Sequence, residues 1–120
     1  MIEDGKPIFV QLADQIENDI LDGVLEEESQ IPSTNEFAAF YRINPATAGR
    51  GVNRLVEDGV VYKKRGIGMF VAQGARERLI AQRREGFREE YLRPLLREAA
   101  KLGIDPQQLS DMIRTEEVTA

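Results

Sequence analysis

Two helix-start signals follow one another closely near the middle of this chain, and together they leave few folds open to it. Ser33-Thr34-Asn35-Glu36 has the form of a capping box: the Ser33 hydroxyl accepts from the Glu36 amide, and the Glu36 carboxylate reaches back to the Ser33 amide. Asn44-Pro45 is the second signal, because asparagine is a favoured cap and proline is favoured at the first helical position. The first helix is predicted to bury Phe37 and Phe40 and to end near Tyr41. The second buries Ala48, Val52, Leu55 and Val56 and stops at Gly59. Only about two to four residues lie between them, so the two helices cross sharply.

The flanking segments supply the rest of a small core. Pro7 fits a helix start, and Phe9, Leu12, Ala13, Ile16 and Ile20 recur at spacings of three and four, an apolar stripe about 100° wide. Asp14, Glu17, Asn18 and Asp22 lie off that stripe, and Gly23 is a suitable stop. The Glu26-Glu27-Glu28 run reads as a solvated loop leading to a very short strand at Gln30-Ile31. After Gly59 the pattern changes. Val60-Val61-Tyr62 and Met69-Phe70-Val71 are β-prone runs around the basic loop Lys63-Lys64-Arg65-Gly66-Ile67-Gly68, which makes a hairpin. Helix, short strand, helix, helix, hairpin is the order of a winged helix-turn-helix.

Gln73-Gly74 is the candidate boundary, giving a winged helix over 1–74 and a helical tail over 75–120. In the tail a long helix is predicted from about Ala75 to Leu102, with Ile80, Phe87, Tyr91, Leu95, Ala99 and Leu102 drifting round one face and Leu92 and Leu96 widening it. Pro94 should kink or break it. Gly103 stops it, and Asp105-Pro106 caps a last short helix with Leu109, Met112 and Ile113 inward. The expected fold class is therefore mainly α with a small β-hairpin: a winged helix-turn-helix followed by a short helical tail.

Composition narrows the function. The 120 residues carry a net charge of −5, which argues at first against a nucleic-acid partner. The distribution matters more. Residues 1–41 hold one base, Lys6, against ten acids; residues 42–72 hold Arg42, Arg50, Arg54, Lys63, Lys64 and Arg65 against Glu57 and Asp58; residues 73–120 balance at nine and nine. With neither cysteine nor histidine, the chain lacks a disulfide framework, a thiolate metal site and the commonest general base. No carboxylate pair sits in an evident cleft motif, and Gly66-x-Gly68 is too short for a phosphate loop. An enzyme, a metal and a cofactor are not expected. No apolar stretch approaches the roughly 20 residues of a membrane helix, and Met1–Val10 lacks the pattern of a secretory signal, so the expected address is the cytoplasm.

Several of these segments together resemble the GntR family of bacterial regulators. Pro7-Ile8-Phe9-Val10-Gln11-Leu12 looks like that family's start of the first helix, and Ile31-Pro32-Ser33-Thr34-Asn35-Glu36-Phe37-Ala38 like its second-helix motif. Ile43-Asn44-Pro45-Ala46-Thr47 looks like the opening of the recognition helix, and Arg65-Gly66-Ile67-Gly68-Met69-Phe70-Val71 like the wing. The Asn-Pro-x-Thr opening and the short tail are similar to the YtrA-like subfamily. The resemblance spans residues 7–71; the tail matches in length and helicity alone. It implies a sequence-specific DNA-binding regulator, a repressor, that binds an inverted-repeat operator in double-stranded DNA as a homodimer. The recognition helix would lie in the major groove and the wing on the backbone or in the minor groove. Carried over position by position, it turns Ser33 and Thr34, then Asn44, Pro45, Ala46, Thr47, Arg50 and Asn53, and in the wing Lys63, Lys64, Arg65 and Gly66, toward DNA, with Asn35 and Gly49 placed on the same DNA-facing side. Two positions depart from the family, which commonly has a DNA-contacting arginine in place of Asn35 and an arginine or other long polar side chain in place of Gly49. Contacts at those two points do not carry over, and the operator should differ from those of typical members.

Helix geometry gives several of these residues roles of their own. With Ala48, Val52 and Leu55 inward, turns of about 100° per residue put Ala46, Arg50 and Asn53 outward, with Gly49 beside them. Arg50 suits a guanine edge or a phosphate, and Asn53 or Asn35 an adenine; Ala46 and bare Gly49 allow close approach, against a thymine methyl. The alternative is a solvated face. Gly51 reads as room for a neighbouring helix. Ser33 is a cap whose helix N-terminus also suits a phosphate. In the tail, Phe87, Tyr91, Leu92, Leu95, Leu96, Leu109, Met112 and Ile113 make more apolar surface than the tail covers, which marks a dimer interface; Phe87, Tyr91 and Leu95 read as core or dimer seam, with a ligand pocket as the alternative. Fewer than about 50 residues are few to enclose a pocket of about 300–1,000 Å³. A small-molecule effector would therefore need a cleft between tail and winged helix or one shared across a dimer. The second function class is a winged-helix module for protein–protein assembly with an incidental basic loop, which the acidic first 41 residues would suit.

Overall fold

Leu12, Ala13, Ile16 and Ile20, spaced three and four apart, are the residues that α1 (Ile8–Leu21) buries. Pro7 opens the helix through its carbonyl, which accepts from the Val10 and Gln11 amides. In the same core lie Phe37 and Ala38 of α2 (Thr34–Tyr41) and Ala48, Val52 and Leu55 of α3 (Pro45–Glu57). The architecture is that of a computed structural model describing residues 5–119; residues 1–4, part of the stretch read above for a leader, lie outside the described residues. Both start signals act as the sequence suggests. Ser33 and Glu36 form the reciprocal capping box, and the Asn44 side chain accepts from the Ala46 amide at 2.8 Å. Arg42 ends α2 in the left-handed region (φ 56°), and the Ile43 amide closes back on the Ala38 carbonyl.

From α3 the chain turns directly into the hairpin, with the Val60 amide donating to the Leu55 carbonyl. Strands β1 (Val61–Lys64) and β2 (Gly68–Val71) pair antiparallel, Val61 opposite Val71 and Tyr62 opposite Phe70. The strand signal at Gln30-Ile31 appears as an isolated bridge from Gln30 to Phe70, flanked by Ile31 N–H to Met69 carbonyl and Val71 N–H to Ser29 carbonyl bonds. Gln30 also anchors the loop: its Nε2 donates to the Ile67 carbonyl at 3.1 Å. Glycine is required next to it, because Gly68 has φ 152° and a Cβ there would stand 2.4 Å from Gln30 Nε2.

Several expectations change. Phe40 is 78% exposed, because Phe37 and Ala38 fill the core side of an eight-residue helix; Phe40 packs only edge-on against Tyr41. Val56 is exposed at the margin of α3's buried stripe, one position past Leu55. The acidic run is more than a solvated loop. Glu27 accepts from the Gly74 and Arg76 amides at the start of α4 (Ala75–Phe87), and Glu28 accepts from the Tyr62 hydroxyl at 2.6 Å. These amides hold the Glu27 carboxyl below its ordinary value of 4.5, the Gly74 bond contributing most. Its bond to Glu28 raises the Tyr62 phenol.

Two compact units emerge, Met1–Ala81 and Gln82–Ala120. The expected boundary after Gly74 falls inside the first unit, since Ala75 and Leu79 of α4 are buried in its core. Arg76 Nε donates to the Leu21 carbonyl and Arg78 to the Gly59 carbonyl, which fastens this turn of α4 to both ends of the helical core.

In the second unit, Pro94 widens the helix without breaking it. A π-helical turn spans Arg88–Leu92, and α5 (Arg93–Lys101) follows with Pro94 in its first turn, where the missing N–H and the ring's demand for space are accommodated. Asp105 and Gln108 exchange side-chain and backbone bonds at the start of α6 (Pro106–Thr119), and this last helix, expected to be short, runs fourteen residues. Leu109 turns inward as expected, with Ala99. Met112 and Ile113 do not: both are about half exposed, because among the described residues of Gln82–Ala120 the small buried centre takes in Ala99 and Leu109 alone. Among the described residues, no helix is long and apolar enough to cross a membrane.

Two substitutions test this packing. A Cβ on Gly51 would stand 2.9 Å from the Phe9 carbonyl oxygen, whereas one on Gly49 would meet only Thr34 Cγ2 at 3.7 Å. In urea unfolding, Gly51→Ala should lose about 1–3 kcal/mol to overpacking, and Gly49→Ala should be neutral or gain up to about 1 kcal/mol. The Glu27 cap predicts a pH signature. Its folded pKa is lowered, so its stabilisation is complete above the unfolded value and is lost as pH falls below about 4.5. Glu27→Gln should melt earlier than wild type at pH 7, with the gap closing between pH 4.5 and pH 3 by circular dichroism.

Candidate nucleic-acid interface

The face of α3 opposite the core follows from its period. Because Ala48, Val52 and Leu55 are buried, Ala46, Arg50 and Asn53 are exposed, and Gly49 and Thr47 lie between at intermediate burial. Asn44 and Pro45 occupy the cap and first position, so the first amides of α3 sit beside the residues expected to read bases. α2 presents its N-terminus the same way: Ser33 and Asn35 are exposed, and Thr34 packs close to Gly49. The Ser33 hydroxyl is already engaged by the Glu36 amide. The Ser33 backbone N–H, followed by its side chain, holds the Glu36 carboxyl below the ordinary carboxylate value. Ser33 is a cap first.

Lys63, Lys64, Arg65 and Gly66 are all exposed on the hairpin, whose tip is closed by the Ile67 amide on the Lys64 carbonyl. Lys64 Nζ lies 4.3 Å from the centroid of the Phe70 ring, and that ring stacks on Tyr62 across the strands. A basic side chain anchored over a ring keeps its charge while losing freedom. The cations of α3 and the wing thus lie on two scaffolds fixed independently, one by the core and one by the hairpin register and Gln30.

Sequence reasoning missed the residues that support this surface. Phe9, read as part of the core stripe, is only half-buried, and its ring lies 4.2 Å from the Arg50 guanidinium carbon. Gln30 was legible only as a strand residue, and Glu27 and Glu28 only as loop. For Tyr62 and Phe70 the signal was present: once the hairpin register is set, two aromatics stand directly opposite. In the tail, Phe87, Tyr91, Leu92, Leu95 and Leu96 are exposed, Phe87 and Tyr91 packing on each other at 5.5 Å. Leu95, Leu109, Met112, Ile113, Glu116 and Glu117 line an open apolar groove of about 420 Å³.

The family model of bacterial regulatory proteins of the gntR family matches residues 9–71, the whole of the helix-turn-helix and wing. The transcriptional repressor YtrA of Bacillus subtilis is 25% identical over 108 residues, which cover 90% of this chain and 82% of YtrA. A transcriptional regulator of the GntR family from Bacteroides thetaiotaomicron, known by crystal structure, is 38% identical, with a TM-score of 0.75 over 93% of this chain and 97% of that one. The DNA-binding domain of AraR, solved in complex with its operator ORX1, is 28% identical with a TM-score of 0.55, covering 60% of this chain and 87% of that one. A winged helix with a basic α3 and wing, matched in this way, is no enzyme: the chain belongs to the GntR family of bacterial regulators, proteins that bind DNA to control transcription.

Proposed function

We propose that the chain is a dimeric cytoplasmic repressor that recognises an inverted-repeat operator. The observation that carries this reading is where the charge lies. In a chain of net charge −5, residues 42–72 hold six bases against two acids, and Arg50, Lys63, Lys64 and Arg65 are exposed on α3 and the wing. In this reading α3 enters the major groove, Arg50 and Asn53 meet base edges, and Ala46 and Gly49 let the helix sit close. The wing lies on the backbone or in the minor groove. Repression follows from occupying the operator, and YtrA, similar over most of its length, carries that description.

Dimerisation rests on two arguments. Six cations from one domain are too few for tight binding at physiological salt, where non-specific dissociation constants run at about 10⁻⁴–10⁻⁶ M; a two-fold dimer doubles the contacts and links the domains at high effective concentration. The unit Gln82–Ala120 is also below about 40 residues, a size that seldom supports a core of its own. Exposed Phe87, Tyr91, Leu92, Leu95, Leu96, Met112 and Ile113 are the surface a second copy would cover. Leu109 serves the unit's own packing.

The test is selection of bound duplexes from a random pool, followed by gel shifts with altered spacing. Selection should return two inverted half-sites with centres about 10 base pairs apart. Inserting about five base pairs should collapse affinity by turning the second half-site to the opposite face, and about ten should partly restore it. Equal binding at all three spacings would show that the domains act independently.

A further inference from the structure

Phe9 lies in the first turn of α1, half-buried, with its ring under Arg50: the guanidinium carbon is 4.2 Å from the ring centroid. The backbone explains how it comes to be there. The Phe9 carbonyl is the atom that a Cβ on Gly51 would strike at 2.9 Å, so α1 and α3 cross most closely one residue beyond Arg50. The approach that demands glycine at 51 therefore carries the Phe9 ring beneath the neighbouring arginine.

An exposed arginine samples many rotamers, and fixing it on binding reduces affinity. A ring face attracts the cation and restricts it. Unlike a carboxylate, the ring offers no acceptor oxygen, so the guanidinium donors stay available for a base edge or a phosphate. Lys64 over Phe70 repeats the arrangement on the wing. We infer that Phe9 is a positioning residue for DNA recognition, its ring pre-ordering the Arg50 side chain that α3 presents. The inference rests on the reading of Arg50 as a DNA contact.

The experiment compares the full chain with Phe9→Leu, Phe9→Met, Phe9→Tyr, Arg50→Ala and the Phe9→Leu/Arg50→Ala double variant. Each is titrated against the best duplex selected by the wild-type chain and against a scrambled duplex of equal length. Phe9→Leu and Phe9→Met should weaken the selected duplex about three- to ten-fold while leaving the scrambled one unchanged, and Phe9→Tyr should stay within about two-fold of wild type. In the Arg50→Ala background, Phe9→Leu should add nothing. In the free protein, the Arg50 Cδ protons should show an upfield ring-current shift in wild type and Phe9→Tyr that is absent in Phe9→Leu. If Arg50→Ala loses selectivity while Phe9→Leu and Phe9→Met bind like wild type, or if the losses simply add, the positioning role is refuted and the Arg50 contact stands. If Arg50→Ala binds both duplexes like wild type, the Arg50 contact itself fails, and the role of Phe9 with it.

Discussion

The crossing of α1 over α3 at Gly51 is the constraint on which the rest of the first unit depends. With the Phe9 carbonyl 2.9 Å and Leu12 Cδ2 3.1 Å from where a Cβ would sit, no other residue fits without separating the helices. That contact fixes which face of α3 is buried, through Ala48, Val52 and Leu55, and so which face carries Arg50 and Asn53 outward. At the end of the same helix the Leu55 carbonyl takes the Val60 amide, and β1 begins at the next residue. The price of a glycine inside a helix, roughly 1 kcal/mol, is offset by two helices packing at backbone distance.

Electrostatics divides the molecule by task. Glu27, Glu28 and Glu36 lie in the strongly acidic first 41 residues and act as acceptors within the fold, one capping α4, one holding Tyr62 of the hairpin and one closing the capping box of α2. Acidic side chains at helix N-termini are favourable for the same reason that phosphate is. The basic side chains of α3 and the wing, by contrast, remain exposed, and two of them lie over aromatic rings. An acidic protein can therefore still present a positive surface of fixed geometry, which is what phosphate binding needs.

Much of this was legible in the sequence because it depends on local rules. The capping box at Ser33, the Asn44-Pro45 start and the glycine-rich hairpin are read from neighbours in the chain, and each appears where expected. Gly51 read as room for a neighbouring helix, and α1 is the helix that takes that room. What stayed hidden involves residues far apart in sequence: Glu27 with Gly74, Gln30 with Ile67, Phe9 with Arg50. No period or motif couples such pairs, and a half-buried aromatic in an apolar stripe looks the same whether it faces the core or an arginine. Phe40, Met112 and Ile113 show the reverse error: an apolar residue at helical spacing is taken as buried, although Phe37 and Ala38 already fill the core side of α2 and the face of α6 that carries Met112 and Ile113 stays about half exposed.

The central claim is that α3 and the wing of this acidic chain bind DNA through phosphates as well as bases, and the salt dependence of binding tests it most directly. With the duplex selected by the full chain, the logarithm of the binding constant should fall linearly with the logarithm of salt concentration. A slope of about −5 or steeper is expected if six or more phosphates are neutralised. A shallow or flat dependence would mean that the basic side chains of α3 and the wing do not engage the backbone, and would leave the winged helix as a surface for another protein.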